Sequence, residues 1–498
     1  MQTKSLSIET NPGNSARKWG GAFLGGVSLM LAYTTWFWAG IRPSFHWVGV
    51  VLAGMLMAGA IGFGTARRAW GRDPLVYLGL AFLMFLAIQW FNAGRVQYFD
   101  VGFQQWRYTP PRWPNWPSAF SRPEAGQMLT WFFPAWVVAL VIRSRLLSGH
   151  ELRMLMTFLV GNAGLLALFG IVQFASGTSA IYWRQPLREP FFASFGYGNH
   201  AAPFFVLSGA LAAGLLYREV FDSRSRSSAR SPGFRLHHPW RSLIHLAAFL
   251  LCLAGANLGL SRTGVILAAV LGVFVAGYGG VRGWRVLSAG ARVNFLALTL
   301  GGAGVLYFLV AGFGGEQLRQ EFRPKSAPPG MVMQTPGDRL NLELGHRPLF
   351  IRAALAAWRE QPWFGLGGWG FKYRVADHVS PDMWPALVSR GWANVHVDAL
   401  QYLAEFGVVG MGLLLSALGW MLRDWLRPPC WREALGVMGA AGLALVVGFS
   451  LIDLPFRCPA ILYTWVAVLA AVPRIIAIPF HTPPPSVSWN FHLERSGP

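Results

Sequence analysis

Residues 293–313 read VNFLALTLGGAGVLYFLVAGF, an uncharged run long enough to cross a hydrocarbon core of roughly 30 Å as a helix. Just beyond it the chain changes character. From Glu316 to Gly410 runs a long polar excursion that carries Arg352 and closes on Asn394-Val395-His396-Val397-Asp398, where an apolar run resumes. Comparable runs recur on both sides, at 19–40, 46–66, 74–92, 127–144, 154–176, 199–217, 242–260, 263–280, 397–422, 433–452 and 459–478. The expected total is therefore about twelve spans. A chain that crosses lipid must satisfy its backbone hydrogen bonds internally, so the expected fold class is all-α, a polytopic integral membrane protein.

Composition agrees. Of 498 residues, 54% are hydrophobic and only 13% charged, with a mean hydropathy of +0.39. A soluble protein carries about a quarter charged residues, so the soluble classes are excluded. The formal charge of +21 is spread between spans rather than gathered in one basic module, which argues for anionic lipid or an anionic lipid substrate over nucleic acid. Cys252, Cys430 and Cys458 lie far apart without metal-ligand spacing, so neither a disulfide framework nor a zinc site is indicated. The first 18 residues are polar and end in Arg17-Lys18 before a long apolar run, which predicts an uncleaved first span.

Positive charge orients the spans. With the N-terminus cytoplasmic, the inner connections hold Arg67, Arg68 and Arg72, then Arg143, Arg145 and Arg153, the run from Arg218 to Arg241, Arg282, Arg285 and Arg292, and Arg423, Arg427 and Arg432. That is the distribution the positive-inside rule requires. The expected organisation is a cytoplasmic tail (1–18), a nine-helix bundle (19–313), a large periplasmic region with short helices (314–396), three closing spans (397–478) and a Pro/Ser-rich cytoplasmic tail (479–498). The outer face then receives the aromatic loop near 93–126, the loop near 177–198, the Ser261-Arg262-Thr263-Gly264 turn and the long excursion. In the aromatic loop, Trp106, Tyr108, Trp113 and Trp116 read either as an interfacial belt or as a sugar-stacking platform.

Arginines on this outer face are not explained by orientation and point to a bound anion. Arg262, in a turn between two spans, is either a snorkelling side chain or a phosphate clamp, since a guanidinium fork matches phosphate oxygens. Arg352 and Arg359, seven apart, share one face of a helix that ends before Pro362. His396 opens a span with Asp398 two residues on; it is either a structural cap or a base suited to neutral pH. Glu405 falls half a turn away from His396 and, buried, needs a partner of its own. Gly365-Leu366-Gly367-Gly368-Trp369-Gly370 fits a dinucleotide-site pattern, but outside a βαβ unit it reads as a tight glycine turn.

At these residues the chain resembles the O-antigen ligase and polymerase superfamily of bacterial envelope glycan enzymes. That family shows a Ser-Arg-x-Gly turn, here Ser261 to Gly264, and an Arg-x5-Trp segment followed by Pro and Gly-x-Gly, here Arg352, Trp358, Pro362, Gly365, Gly367 and Gly370. A His-Asn-Asp-x-Leu-Gln-x-Leu-x-Glu-x-Gly helix start follows, here His396-Val397-Asp398-Ala399-Leu400-Gln401-Tyr402-Leu403-Ala404-Glu405-Phe406-Gly407, with Val397 in place of Asn. The resemblance covers roughly 190–415, and Asn199 in Gly198-Asn199-His200 opens a span as a Gly-Asn pair does in the family.

The resemblance implies a GT-C-like fold and a glycosyltransferase of the bacterial inner membrane that needs no cofactor and no metal. Its donor would be an undecaprenyl-diphosphate-linked glycan and its acceptor the lipid A core, a second lipid-linked repeat or a protein hydroxyl. His396 would be the general base, Arg262 and Arg352 the diphosphate ligands, and Arg359, Asp398, Glu405 and Asn199 support. A lipid-linked glycan transporter would show the same number of spans but also two related halves and broken helices.

Overall fold

The computed structural model describes residues 14–477 apart from 101, 104, 188–189, 223–238, 324–344 and 382–393. Both predicted tails, except 14–18, and most of the basic connector 218–241 lie outside the described residues, as do two parts of the polar excursion. Helices occupy each of the twelve predicted stretches. They are α1 (Asn14–Trp36), α2 (Pro43–Ile61), α3 (Pro74–Phe91), α4 (Arg122–Arg143), α5 (Gly149–Ala175), α6 (Gly198–Tyr217), α7 (Pro239–Leu258), α8 (Arg262–Val286) and α9 (Ala289–Phe322). After α10 (Arg347–Glu360), which belongs to the excursion, come α11 (Asp398–Leu422), α12 (Ala434–Phe449) and α13 (Pro459–Ala477). Ten of the twelve are long and apolar enough to cross a membrane; α1 is not among the ten, and α12, at 16 residues, is shorter. The chain is an all-α polytopic membrane protein. Its only regular strands among the described residues form two small antiparallel hairpins, the larger pairing β1 (Arg95–Asp100) with β2 (Gln105–Thr109).

The bundle is built around α6, of which every residue but Asn199 is buried. Small residues make this possible. A Cβ on Gly214 would stand 3.1 Å from the Leu435 backbone, and one on Gly442 of α12 would stand 2.8 Å from Ala210, so α6 and α12 approach almost backbone to backbone. By contrast α9, on the periphery, exposes Leu296, Leu300, Tyr307 and Phe308 as a lipid-facing helix does.

At one end of the bundle the basic connections are knitted together. The Arg143 guanidinium binds Asp73 at 2.8 Å and Asp424 at 2.6 Å, the Trp420 indole donates to Asp73 at 2.7 Å, and Arg427 pairs with Asp424 at 3.1 Å. Arg474 of α13 donates to the Ser144 and Leu147 carbonyls past the end of α4. Stretches that the charge pattern assigns to one side therefore meet at one end. In the aromatic loop, Trp106 packs edge-on to Tyr373 at 5.4 Å and Tyr108 to Phe120 at 4.9 Å, whereas Trp113 and Trp116 are exposed.

Two features depart from the sequence expectation. Helix α9 does not stop near 313 but runs to Phe322, taking in the first residues of the excursion. Helix α11 is not continuous, because Gly407 has φ +63 and ψ −170, a region essentially reserved for glycine. The glycine turn of the excursion fills the break. The Leu366 and Gly367 amides donate to the Ala404 and Glu405 carbonyls, at 3.0 and 2.7 Å, and the Val408 and Val409 amides donate to the Pro362 and Trp363 carbonyls, at 2.8 and 3.0 Å. An interrupted helix survives in a bundle only when its freed backbone groups find partners, and here another piece of backbone supplies them. Gly365 (φ +67) and Gly367 (φ +79) allow that approach.

Candidate active site

His396 sits in the loop that leads into α11, with φ +58, a left-handed conformation that costs a non-glycine residue about 1–3 kcal/mol. Its neighbours hold it there. The Val395 amide, fully buried, donates to the Gln401 side chain at 2.8 Å, and the Asp398 amide donates to the Ser450 carbonyl at 2.9 Å. The ring itself is about one-fifth exposed, and its Nδ1 stands 3.2 Å from Oδ1 of Asp453.

Asp453, in the loop between α12 and α13, is 2% exposed and saturated with donors. The Leu454 amide donates to Oδ1 at 2.9 Å; the Asn199 amide and the Tyr197 hydroxyl donate to Oδ2 at 2.6 and 3.1 Å. Arg347, the first residue of α10, stands 3.9 Å away. Burial pushes the Asp453 carboxyl up, but the His396 hydrogen bond and the charges of His396, His200 and Arg347 outweigh it and hold it below the ordinary carboxylate value. Burial and the same carboxylate push the Tyr197 hydroxyl up, so it stays protonated and donates. An ionised Asp453 only accepts, so in the neutral imidazole the proton rests on Nδ1 and Nε2 keeps its lone pair.

Glu405 has the partner its burial demands. Arg457, also buried, pairs with it and lies between the Trp369 and Tyr402 rings, 4.5 and 4.9 Å from their centroids. The Gln401 side chain and the Trp369 amide donate to the same carboxylate at 2.6 and 2.9 Å. Asp398 is buried as well and accepts from the Phe456 amide at 2.9 Å. Both acids thus fasten the 453–457 loop to α11, and so fix Asp453 relative to His396.

The Ser261–Gly264 turn adjoins this cluster. Ser261 caps α8 by accepting from the Gly264 amide at 3.3 Å, and Gly264 lets α8 lie against Ala202 and Ala256. A Cβ on Gly198 would stand 2.4 Å from the Gly259 carbonyl, so the turn abuts the start of α6, where Tyr197 and Asn199 hold Asp453. Arg262 donates to the Glu321 and Arg323 carbonyls, at 2.7 and 3.1 Å, where α9 overran its predicted end. Arg352 and Arg359 lie on the exposed face of α10, whose alanines 353, 354 and 357 are buried, and neither has an ion-pair partner among the described residues.

The structure therefore joins His396 to Asn199 through Asp453, brings the turn before Arg262 against the start of α6 while the Arg262 side chain reaches the end of α9, and keeps Arg352 and Arg359 at the surface of the helix that Arg347 begins. Asp453, Tyr197, Arg347 and Arg457 are absent from the sequence candidates. The acid and the arginine of Leu451-Ile452-Asp453-Leu454-Pro455-Phe456-Arg457 lie between two apolar runs, where a charge needs a reason, and that was their signal.

Residues 247–415, about a third of the chain, match the family described as O-Antigen ligase. A search of the curated proteins finds no match. The matched stretch contains Arg262, Arg352, His396 and Glu405, whereas Tyr197, Asn199 and Asp453 come from either side of it. That match and the polytopic helical fold support the resemblance to the O-antigen ligase and polymerase superfamily.

Proposed function

We propose that this protein transfers a glycan from undecaprenyl diphosphate to a hydroxyl of an acceptor such as the lipid A core, at the periplasmic face of the bacterial inner membrane and without a metal. The carrying observation is the His396–Asp453 pair, which, among the described residues, leaves Nε2 of a histidine about one-fifth exposed without a partner. In this reading Nε2 takes the proton of the acceptor hydroxyl as its oxygen attacks the anomeric carbon. The bond from that carbon to the diphosphate oxygen breaks, the diphosphate leaves with the electron pair, and the anomeric centre inverts. Asp453 orients the ring and stabilises the imidazolium, and Asn199 and Tyr197 hold Asp453 in turn.

Arg262 and Arg352 bind the diphosphate and offset the charge that builds on it, with Arg359 assisting. Arg262 donates to the Glu321 and Arg323 carbonyls and stands 3.6 Å from the Glu321 carboxylate, so a phosphate that binds it takes the place of these acceptors. Asp398 and Glu405 act at one remove by fixing the 453–457 loop.

The test is transfer by the purified full-length protein from a lipid-linked donor. His396→Ala is expected to lose about 10²–10⁴-fold in turnover, the usual weight of a positioned base; unchanged turnover removes histidine from the reaction. The acceptor follows from the product. Attachment to lipid A core marks a ligase, and chain growth from the lipid-linked donor alone marks a polymerase.

A further inference from the structure

A cleft of about 720 Å³ opens between α2, α3 and α4, within the roughly 300–1,000 Å³ of small-molecule sites. Its walls are almost wholly apolar and include Trp47, Val50, Met84, Ala87 and Phe133, of which Trp47 and Met84 are exposed as lipid-facing residues are. One cation stands on its lining. Arg122, the first residue of α4, lies over the Trp90 ring at 4.6 Å. Among the described residues it has no ion-pair partner, and the nearest acid in sequence, Glu124, is bound by Lys372 and Tyr373.

We infer that this cleft binds one anionic phospholipid of the surrounding leaflet, with acyl chains between α2 and α3–α4 and its phosphate on Arg122. A greasy slot with an uncompensated guanidinium beside interfacial tryptophans complements that ligand and not a neutral lipid. The cleft is not the seat of the reacting donor. None of Tyr197, Arg262, Arg347, His396 or Asp453 lines it. Buried Trp131 of α4, bonded to His46 on the cleft side and packed edge-on against Trp369 at 5.9 Å, stands between the cleft and the Arg457–Glu405 pair. The inference goes beyond the proposed transfer reaction, and its test needs no transfer activity.

The full-length protein in detergent is titrated with dioleoylphosphatidylglycerol or dioleoylphosphatidylethanolamine, and bound lipid is read by native mass spectrometry. The wild type is expected to hold one phosphatidylglycerol about fivefold more tightly than phosphatidylethanolamine, the weight of one cation near an anionic headgroup. Arg122→Gln removes that preference while a lipid still binds. Ala87→Trp and Val50→Trp, which fill the slot from opposite walls, lose the bound lipid. A preference that survives Arg122→Gln, or lipid retained in both tryptophan variants, overturns the proposal. So does displacement of phosphatidylglycerol from the wild type by undecaprenyl phosphate, which assigns the cleft to the donor.

Discussion

The Nδ1 atom of His396 lies 3.2 Å from Oδ1 of Asp453, a contact across 57 residues that joins the excursion to the loop between the last two helices. If this carboxylate sets the imidazole, Asp453→Asn keeps the shape of the site but can present an amide donor to the ring and favour the wrong tautomer. Turnover is expected to fall about as far as for His396→Ala, roughly 10²–10⁴-fold, with donor KM little changed. Steady-state kinetics of the two variants, with donor and acceptor varied in turn, decides the matter; a loss confined to KM speaks for a binding role instead.

The same carboxyl makes acid stability measurable. Its folded value is held below the ordinary one, near 3.9 for an unfolded aspartate. Its contribution is therefore complete above about pH 4 and lost as the pH falls through the lower folded value. The melting temperature of the wild type should exceed that of Asp453→Asn at pH 7, and the gap should narrow as the pH falls below about 4. A gap that widens in acid contradicts the assignment.

Arg457 and Glu405 form a pair buried on both sides. Removing one partner strands the other, at a cost of about 3–5 kcal/mol, whereas removing both does not. Arg457→Met alone is expected to destabilise the protein severely in denaturant titrations, and adding Glu405→Gln should restore part of the loss. Simple additivity of the two substitutions tells against the pair.

Gly407 tests the interrupted helix. A Cβ there would stand 2.4 Å from the Trp363 carbonyl, in a conformation that L residues rarely adopt. Gly407→Ala should destabilise by about 1–3 kcal/mol, while Gly412→Ala, five residues along the same helix with nothing within 4 Å of its Cβ, should be neutral or stabilising. Equal melting temperatures for the two variants dispose of the break.

For the arginines, transfer assays at limiting donor separate direct from indirect roles. Loss of charge-assisted bonds to a diphosphate is worth about 1.5–3 kcal/mol, or roughly 10- to 150-fold, for Arg262→Ala and Arg352→Ala. Arg347→Ala, which removes only a 3.9 Å neighbour of Asp453, should act less on donor KM than on turnover.

Much of the fold was legible in the sequence because uninterrupted apolar runs admit few alternatives in lipid: each of the twelve expected spans has a helix, displaced by a few residues at its ends. The end of α9 was not, since Glu316 to Phe322 looks polar yet continues the helix and receives Arg262. Of the candidate site, the local patterns were legible and the long-range contacts were not. His396, Arg262 and Asn199 stand beside recognisable local patterns, whereas Asp453 earns its place only through contacts with residues far away in sequence, and Arg347 only through where α10 happens to begin. Glu405 announced the need for a partner but not its identity, because burial is readable from one helix and pairing is not.

The backbone bonds between 362–367 and 404–409 have a practical corollary for hybrid proteins. A loop exchanged with a relative to alter acceptor preference is normally cut where it leaves the membrane. Here that cut would separate two strands of one structural splice. Any exchange of the excursion must carry the first half of α11 with it, His396 included, because the two segments share one set of backbone bonds and transplant only as a single cassette.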